Sequence, residues 1–157
     1  MTRVSVREMR AEDISQAAAI HRRITRSGMI AGKEYPIHKL FTAYLKHTPK
    51  TCMVAEIDGT VVGFIVGEMR EWSFGAQRTG WIEIVEVDPR HMGAGIGRML
   101  GRRIIEHFKG IGAESVHTAV AWDSGDLLSF FKGLGFERSA LINLERRIAR
   151  KSGARRR

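Results

Sequence analysis

The sequence predicts an α/β domain of the α+β, mixed-sheet kind, a central mixed β-sheet flanked by helices. Three observations predict it. Runs with strand alternation and runs with helical periodicity succeed one another with neither an internal repeat nor a linker between them. Two β-rich runs meet at Asp58-Gly59, a dipeptide that supplies the positive φ angles of a tight hairpin. Further on, DPRHMGAGIG joins a strand to an amphipathic helix through a glycine-rich turn, and another strand follows; strand-helix-strand units beside a hairpin make a sheet mixed.

The elements follow in order. RVSVREM, residues 3–9, reads as a first strand with Val4, Val6 and Met9 as its apolar set. AEDISQAAAIHRRI is a helix with Asp13 as its cap and Ile14, Ala17, Ala18, His21 and Ile24 on one stripe. SGMIAGKEYP is a loop, and IHKLFTAYLKH is a second helix through Ile37, Leu40, Phe41, Tyr44 and Leu45. TCMVAEIDGTVVGFIVGEM is the hairpin. SFGAQRTG is then expected to be a loop and WIEIVEVDP a strand ended by Pro89. After the glycine turn and its helix, AESVHTAVAW is a fifth strand, DLLSFFKGLG a short helix, and FERSALINLERRI one bent strand or two short ones.

Composition bounds the function. With 157 residues, 43% of them hydrophobic and 27% charged, the chain suits one soluble globular domain. Its apolar runs are shorter than the ~18 residues of a membrane span, and MTRVSVREMR lacks the apolar block of a signal peptide. Cys52, the single cysteine, lies in an apolar run and reads as a structural thiol; a cytoplasmic location is the expectation. The net charge of +9 is concentrated at the end. Seven of the 26 basic residues fall in RRIARKSGARRR, which leaves 19 against 17 acidic ones in the body. The expected organisation is therefore one domain over residues 1–147 and a basic tail over 148–157. Such tails are usually solvated; contact with nucleic acid or a ribosome is the minority reading and is confined to the tail.

Gly93, Gly95 and Gly97 occupy every second position where a helix should begin, although glycine is a poor helix former. The dinucleotide fingerprint would require glycine at Arg98 or Leu100, and the P-loop would require a Gly-Lys-Ser/Thr ending; the sequence has neither. A strand, a turn and a glycine-rich helix start remain. The first helical turn offers unpaired N–H groups and the positive end of the dipole. Missing side chains let a phosphate reach that backbone. The alternative is that the glycines allow only a tight turn and close packing.

VDPRHMGAGIGRML resembles the acetyl-coenzyme A binding segment of the GCN5-related N-acetyltransferase (GNAT) family, with Val87, Pro89, Gly95 and Gly97 on the family's positions. DLLSFFKGLGF is similar to a second family segment, with Leu134, Gly135 and Phe136 at its end. The resemblance implies the GNAT fold and acetyl transfer from acetyl-CoA to a primary amine by direct attack, a protein or peptide amine being slightly favoured over a small metabolite. It implies a pyrophosphate held by the backbone of Met92, Gly93, Ala94, Gly95, Ile96, Gly97 and Arg98, and a pantetheine arm paired like a strand beside Val85 and Val87. It also implies pairing into a homodimer. Two positions depart from the pattern. Met92 replaces the family's Gln or Arg, with Arg90 and Arg98 close enough in sequence to supply charge instead. Phe131 replaces a tyrosine that often protonates the departing thiolate; a CoA-binding module without catalysis is the rival reading.

Glu83 and Glu86 are the candidate bases, Glu83 first. A carboxylate in an apolar strand is costly to bury unless it is used or paired. The alternative for Glu83 is an ion pair with an arginine of a neighbouring element. In a regular strand Glu83 shares a face with Val85 and Val87, and Glu86 shares the other with Ile82 and Ile84. The six histidines show no metal-ligand spacing, so no metal is expected. Tyr35 borders the acceptor groove by the resemblance, and Trp81 and Trp122 read as core or groove-lining side chains.

Overall fold

The structure is a computed structural model that describes residues 3–26, 36–73 and 75–148. Five strands form one sheet in the order β1-β2-β3-β4-β5. They are β1 (Val4–Glu8), β2 (Cys52–Ile57), β3 (Thr60–Ser73), β4 (Ala76–Val87) and β5 (Ser115–Thr118). The first four are antiparallel to their neighbours and β5 runs parallel to β4. Helices α1 (Ile14–Arg26) and α2 (Ile37–His47) cover one face; α3 (Ile96–Gly110) covers the other, with α4 (Gly125–Gly133) packed beside it. The mixed sheet and the helical stripes match the sequence expectation.

The hairpin forms at Asp58 (φ +47) and Gly59 (φ +78), as the positive-φ requirement of a two-residue turn dictates. On the α1/α2 face Ala17, Ala18, Ile20 and Ile24 pack with Phe41, Val54, Phe64 and Val66. On the α3 face Ile96, Leu100, Ile104 and Phe108 pack with Ile65 and Ile82. The sheet lets α3 close in by omitting side chains: a Cβ at Gly80 would lie 2.6 Å from the Phe108 ring. Asp13 caps differently from the expectation. Its carboxylate reaches back to the Arg10 N–H (2.7 Å) and the Arg7 guanidinium (2.7 and 2.9 Å), fastening β1 to the start of α1.

Three expectations are corrected. Most of SFGAQRTG is strand: Thr79 is fully buried, and Ser73, Glu71, Arg70 and Met69 pair with Ala76, Arg78, Thr79 and Gly80. Cross-strand pairing and burial override a loop-like composition there. The fifth strand is shorter than AESVHTAVAW, because pairing with β4 stops at Ile82↔Thr118. Residues 136–148 form no strand, and 137–148 are exposed throughout. The loop bearing Tyr35 and the tail beyond residue 148 lie outside the described residues. No helix among the described residues is long and apolar enough to cross a membrane.

Candidate active site

The site is built where β4 changes partners. Consecutive residues Val66 and Gly67 of β3 pair with Ile84 and Ile82, which leaves Glu83 as an extra residue, a β-bulge. The bulge reverses the face assignment expected for a regular strand. Ile82, Val85 and Val87 all join the α3 cluster, whereas Ile84 joins the α1/α2 cluster and Glu86 meets His21 of α1. Glu83 therefore lies on the side of Glu86 and not that of Val85 and Val87. The bulge also ends the sheet on one side. Up to Ile82 β4 is paired on both edges; beyond it β4 has only β3 as a strand partner among the described residues. An unpaired edge alongside Val85 and Val87 can accept an extended amide-bearing chain.

That edge leads into the glycine turn. Asp88 accepts from the Arg90 N–H (3.0 Å) and opens a 3-10 turn at Pro89–His91. Gly93 (φ +82) and Gly95 (φ +77) take the left-handed conformation, and a Cβ at either would meet nothing within 4 Å. Met92, Gly93, Ala94 and Gly95 are exposed, and Gly95 caps α3 without a side chain. The first helical bond, Met99 N–H to Gly95 C=O (3.0 Å), leaves the N–H groups of Ile96, Gly97 and Arg98 without intrahelical acceptors. An open, Cβ-free approach to a helix N-terminus fits a phosphate group.

Gly97 serves packing instead. A Cβ there would come within 3.1 Å of the Phe130 ring and 3.6 Å of Val87. The turn thus combines both expected uses of glycine at different positions. The Ile96 side chain is core (1% exposed), so only its backbone faces the approach. Phe131 is buried as well, edge-on to Phe130 (5.0 Å) and Phe136 (5.1 Å). Arg90 is engaged elsewhere: it pairs bidentately with Asp88 (3.0 and 2.7 Å), which also receives Arg23 of α1 at 2.6 Å. The Arg90 guanidinium and backbone N–H pull the Asp88 carboxyl down to about 2. Arg98 forms no ion pair among the described residues and is exposed on the first turn of α3.

The two carboxylates occupy different surroundings. Glu83 accepts from Arg70 at 2.7 Å, while the same guanidinium bonds Glu68 (2.7 Å) and lies 4.1 Å above the Trp81 ring. Trp81 stacks on His117 of β5. The ion-pair alternative for Glu83 is therefore realised, and its side chain is still 29% accessible. Burial pushes the Glu83 carboxyl above the ordinary carboxylate range, and Arg70 opposes the shift. Glu86 is buried against His21 Nδ1, its two oxygens at 2.9 and 3.1 Å. Burial raises this carboxyl too, with the His21 hydrogen bond pulling the other way. Tyr44 of α2 completes the region; burial pushes its phenol up to about 12.

Cys52 is fully buried and burial pushes its thiol up to about 12, so it is no nucleophile at neutral pH. No group of three or more His, Cys, Asp or Glu side chains among the described residues is placed to hold a metal. Trp81 lines the Glu83 region, but Trp122 is 89% exposed and belongs neither to the core nor to this groove. The sequence set His21 on the inward stripe of its helix yet gave no sign of Glu86 as its partner. Arg70 was equally hidden, because its reach to Glu83 depends on the bulge.

Residues 17–136 match the family model described as the acetyltransferase (GNAT) family. The chain belongs to the GNAT acetyltransferase family. Its mixed sheet with flanking helices is the fold of solved members. The Thermoplasma volcanium protein Ard1 superposes with a TM-score of 0.71 at 26% identity, over 87% of this chain and 84% of that one. Two curated relatives cover most of the sequence. An L-2,4-diaminobutyric acid acetyltransferase from Nocardia farcinica is 26% identical over 140 residues, 89% of this chain and 69% of the relative. An N-alpha-acetyltransferase from Sulfurisphaera tokodaii is 27% identical over 140 residues, 84% of this chain and 79% of the relative. The GNAT family takes its acetyl group from acetyl-CoA, so the chain is an acetyltransferase of that kind.

Proposed function

We propose that the protein transfers acetyl from acetyl-CoA to a primary amine by direct attack, a protein or peptide amine being favoured over a small metabolite. The observation that carries this reading is the continuity of two features: the β4 edge freed by the bulge and the open glycine turn into which that strand runs. The backbone from Met92 to Arg98 holds the pyrophosphate, and the edge beside Val85 and Val87 pairs with the pantetheine amides. The thioester then lies near the bulge, within reach of the Glu83 region.

Glu83 is the base in this account. The acceptor nitrogen attacks the thioester carbonyl, the carbon–sulfur bond breaks, and the proton of the new ammonium passes to the Glu83 carboxylate, directly or through water. A carboxyl raised by burial is a stronger base than a solvated one, and Arg70 keeps it ionised and aimed. Phe131 cannot protonate the thiolate, but a thiol of pKa about 8.5 departs without a dedicated acid. His21 and Glu86 hold α1 against β4 and position the site without touching the reacting atoms.

Support for a peptide acceptor comes from the likeness to the N-alpha-acetyltransferase and to Ard1; the diaminobutyric acid acetyltransferase supports a small amine. The test is release of free thiol from acetyl-CoA with peptides of varied N-terminal residue, peptides with internal lysine, and short diamino acids. Turnover on free peptide N-termini at least tenfold above diamino acids is the expected outcome. The reverse order moves the acceptor to the small-amine class, and silence throughout the panel contradicts catalysis.

A further inference from the structure

The segment between β4 and α3 is anchored at one side chain. Val87 before it and Ile96 after it are seated in the α3 cluster, and of residues 88–95 only Asp88 is buried. Packing does not fix the middle of the segment. A Cβ at Gly93 or Gly95 would meet nothing within 4 Å, and glycine has more backbone freedom to lose than any other residue. Among the described residues, every hydrogen bond of residues 89–94 ends on Asp88.

Asp88 holds the segment at three points. Its own N–H donates to the Val62 C=O (2.8 Å), which keeps the end of β4 on β3. Its C=O accepts from the His91 N–H at 2.8 Å, and its carboxylate accepts from the Arg90 N–H at 3.0 Å. One residue thus satisfies both free donors of the 3-10 turn, which Pro89 begins without an N–H of its own. The carboxylate also takes the Arg90 guanidinium (3.0 and 2.7 Å) and Arg23 of α1 (2.6 Å).

The side chain is 1% exposed with both oxygens engaged, so it cannot touch a ligand lying on the turn. Its negative charge is of no direct use to a phosphate site, because like charges repel. What an acceptor at this position supplies is the bend.

We infer that Asp88 is a positioning residue for acetyl-CoA, its bond to the Arg90 N–H holding the turn so that the backbone from Met92 to Arg98 meets the pyrophosphate already shaped. The inference rests on the acetyl-CoA reading given above. A loop ordered before its ligand arrives spares the binding step the entropy of ordering it.

The test compares Asp88→Asn with Asp88→Ala by isothermal titration of acetyl-CoA. Both substitutions remove the charge and its pairs with Arg23 and Arg90, but asparagine keeps an oxygen for the Arg90 N–H and alanine does not. Alanine should weaken binding about tenfold or more, while asparagine stays within about threefold of the wild type. Equal losses in the two variants assign the effect to charge or to lost stability and overturn the inference. Hydrogen exchange of the ligand-free wild type gives a second readout that does not depend on how the variants fold. After correction for intrinsic rates, the amide of exposed Arg90 should exchange at least about tenfold more slowly than that of exposed Met92. Equal exchange overturns the inference. A wild type that does not bind acetyl-CoA fails the reading beneath the inference, whereas Asp88→Ala binding as tightly as a binding wild type fails the inference alone.

Discussion

The two halves of β4 differ by one residue's worth of geometry. Before the bulge, Thr79 to Ile82 are paired on both sides, to β3 and β5, and the strand is ordinary sheet interior. After it, Ile84 to Val87 keep only β3, carry the buried Glu86 and run into the open glycine turn. Glu83 sits at the junction. A single unpaired residue separates strand interior from a free strand edge, while turning two acidic side chains to the same face. Under the proposed function the first half answers for stability, and the second for acetyl-CoA and proton transfer.

The largest effect is expected at His21. Leaving a buried carboxylate without its partner typically costs about 3 to 5 kcal/mol. His21→Ala should lower the thermal midpoint accordingly. It also removes the hydrogen bond that restrains the Glu86 carboxyl, which then rises further above its ordinary 4.5. A carboxyl whose folded-state pKa is raised works against stability as pH climbs past the unfolded value, so the deficit should grow as pH rises above 4.5. A deficit constant with pH contradicts the pairing.

Glu83→Gln alters the carboxylate at the junction and not the strand edge. Loss of a general base costs about 100-fold or more in turnover. The variant should bind acetyl-CoA within twofold of wild type while kcat falls by that factor at neutral pH. Unchanged kcat removes Glu83 from proton transfer and leaves it as an ion-pair partner of Arg70.

Asp88 ends the second half, and its depressed carboxyl has a defined acid limit. The stabilisation is complete above the ordinary 3.8 and is lost as pH falls through about 2. Its partners Arg23 and Arg90 are solvent-accessible, which discounts the contribution to about 1 to 2 kcal/mol. Asp88→Asn should cost that amount at pH 7 and close to nothing at pH 2, by urea denaturation at both values. The smallest effect belongs to Gly97→Ala, about 1 kcal/mol of stability for easing the Phe130 ring aside, with acetyl-CoA affinity unaffected.

Much of this was legible in the sequence, and the remainder was hidden for physical reasons. Asp58-Gly59 and the Gly93–Gly97 spacing announce themselves, because positive φ and close backbone approach demand particular residues. The apolar stripes of α1, α2 and α3 were equally readable. The bulge was not: WIEIVEV spaces its two acidic residues three apart, which a regular strand sends to opposite faces, and only the partner strand decides where an extra residue goes. The same holds for His21–Glu86, two residues 65 positions apart, and for Arg78 and Thr79, which a loop-like composition concealed. Residues 139–148 show the converse. Their alternation reads as a strand, but they are exposed throughout and pair with no strand among the described residues.

An isothermal titration of acetyl-CoA into the wild type and into Gly95→Glu tests whether the pyrophosphate lies on the glycine turn. The substitution places a carboxylate at a left-handed position in the open approach to α3, leaving the strand edge and Glu83 untouched. Micromolar binding by the wild type and a loss of at least about 100-fold, roughly 2.7 kcal/mol, in the variant are the expected results. Equal affinities in a variant that remains folded would show that the pyrophosphate does not lie on the glycine turn.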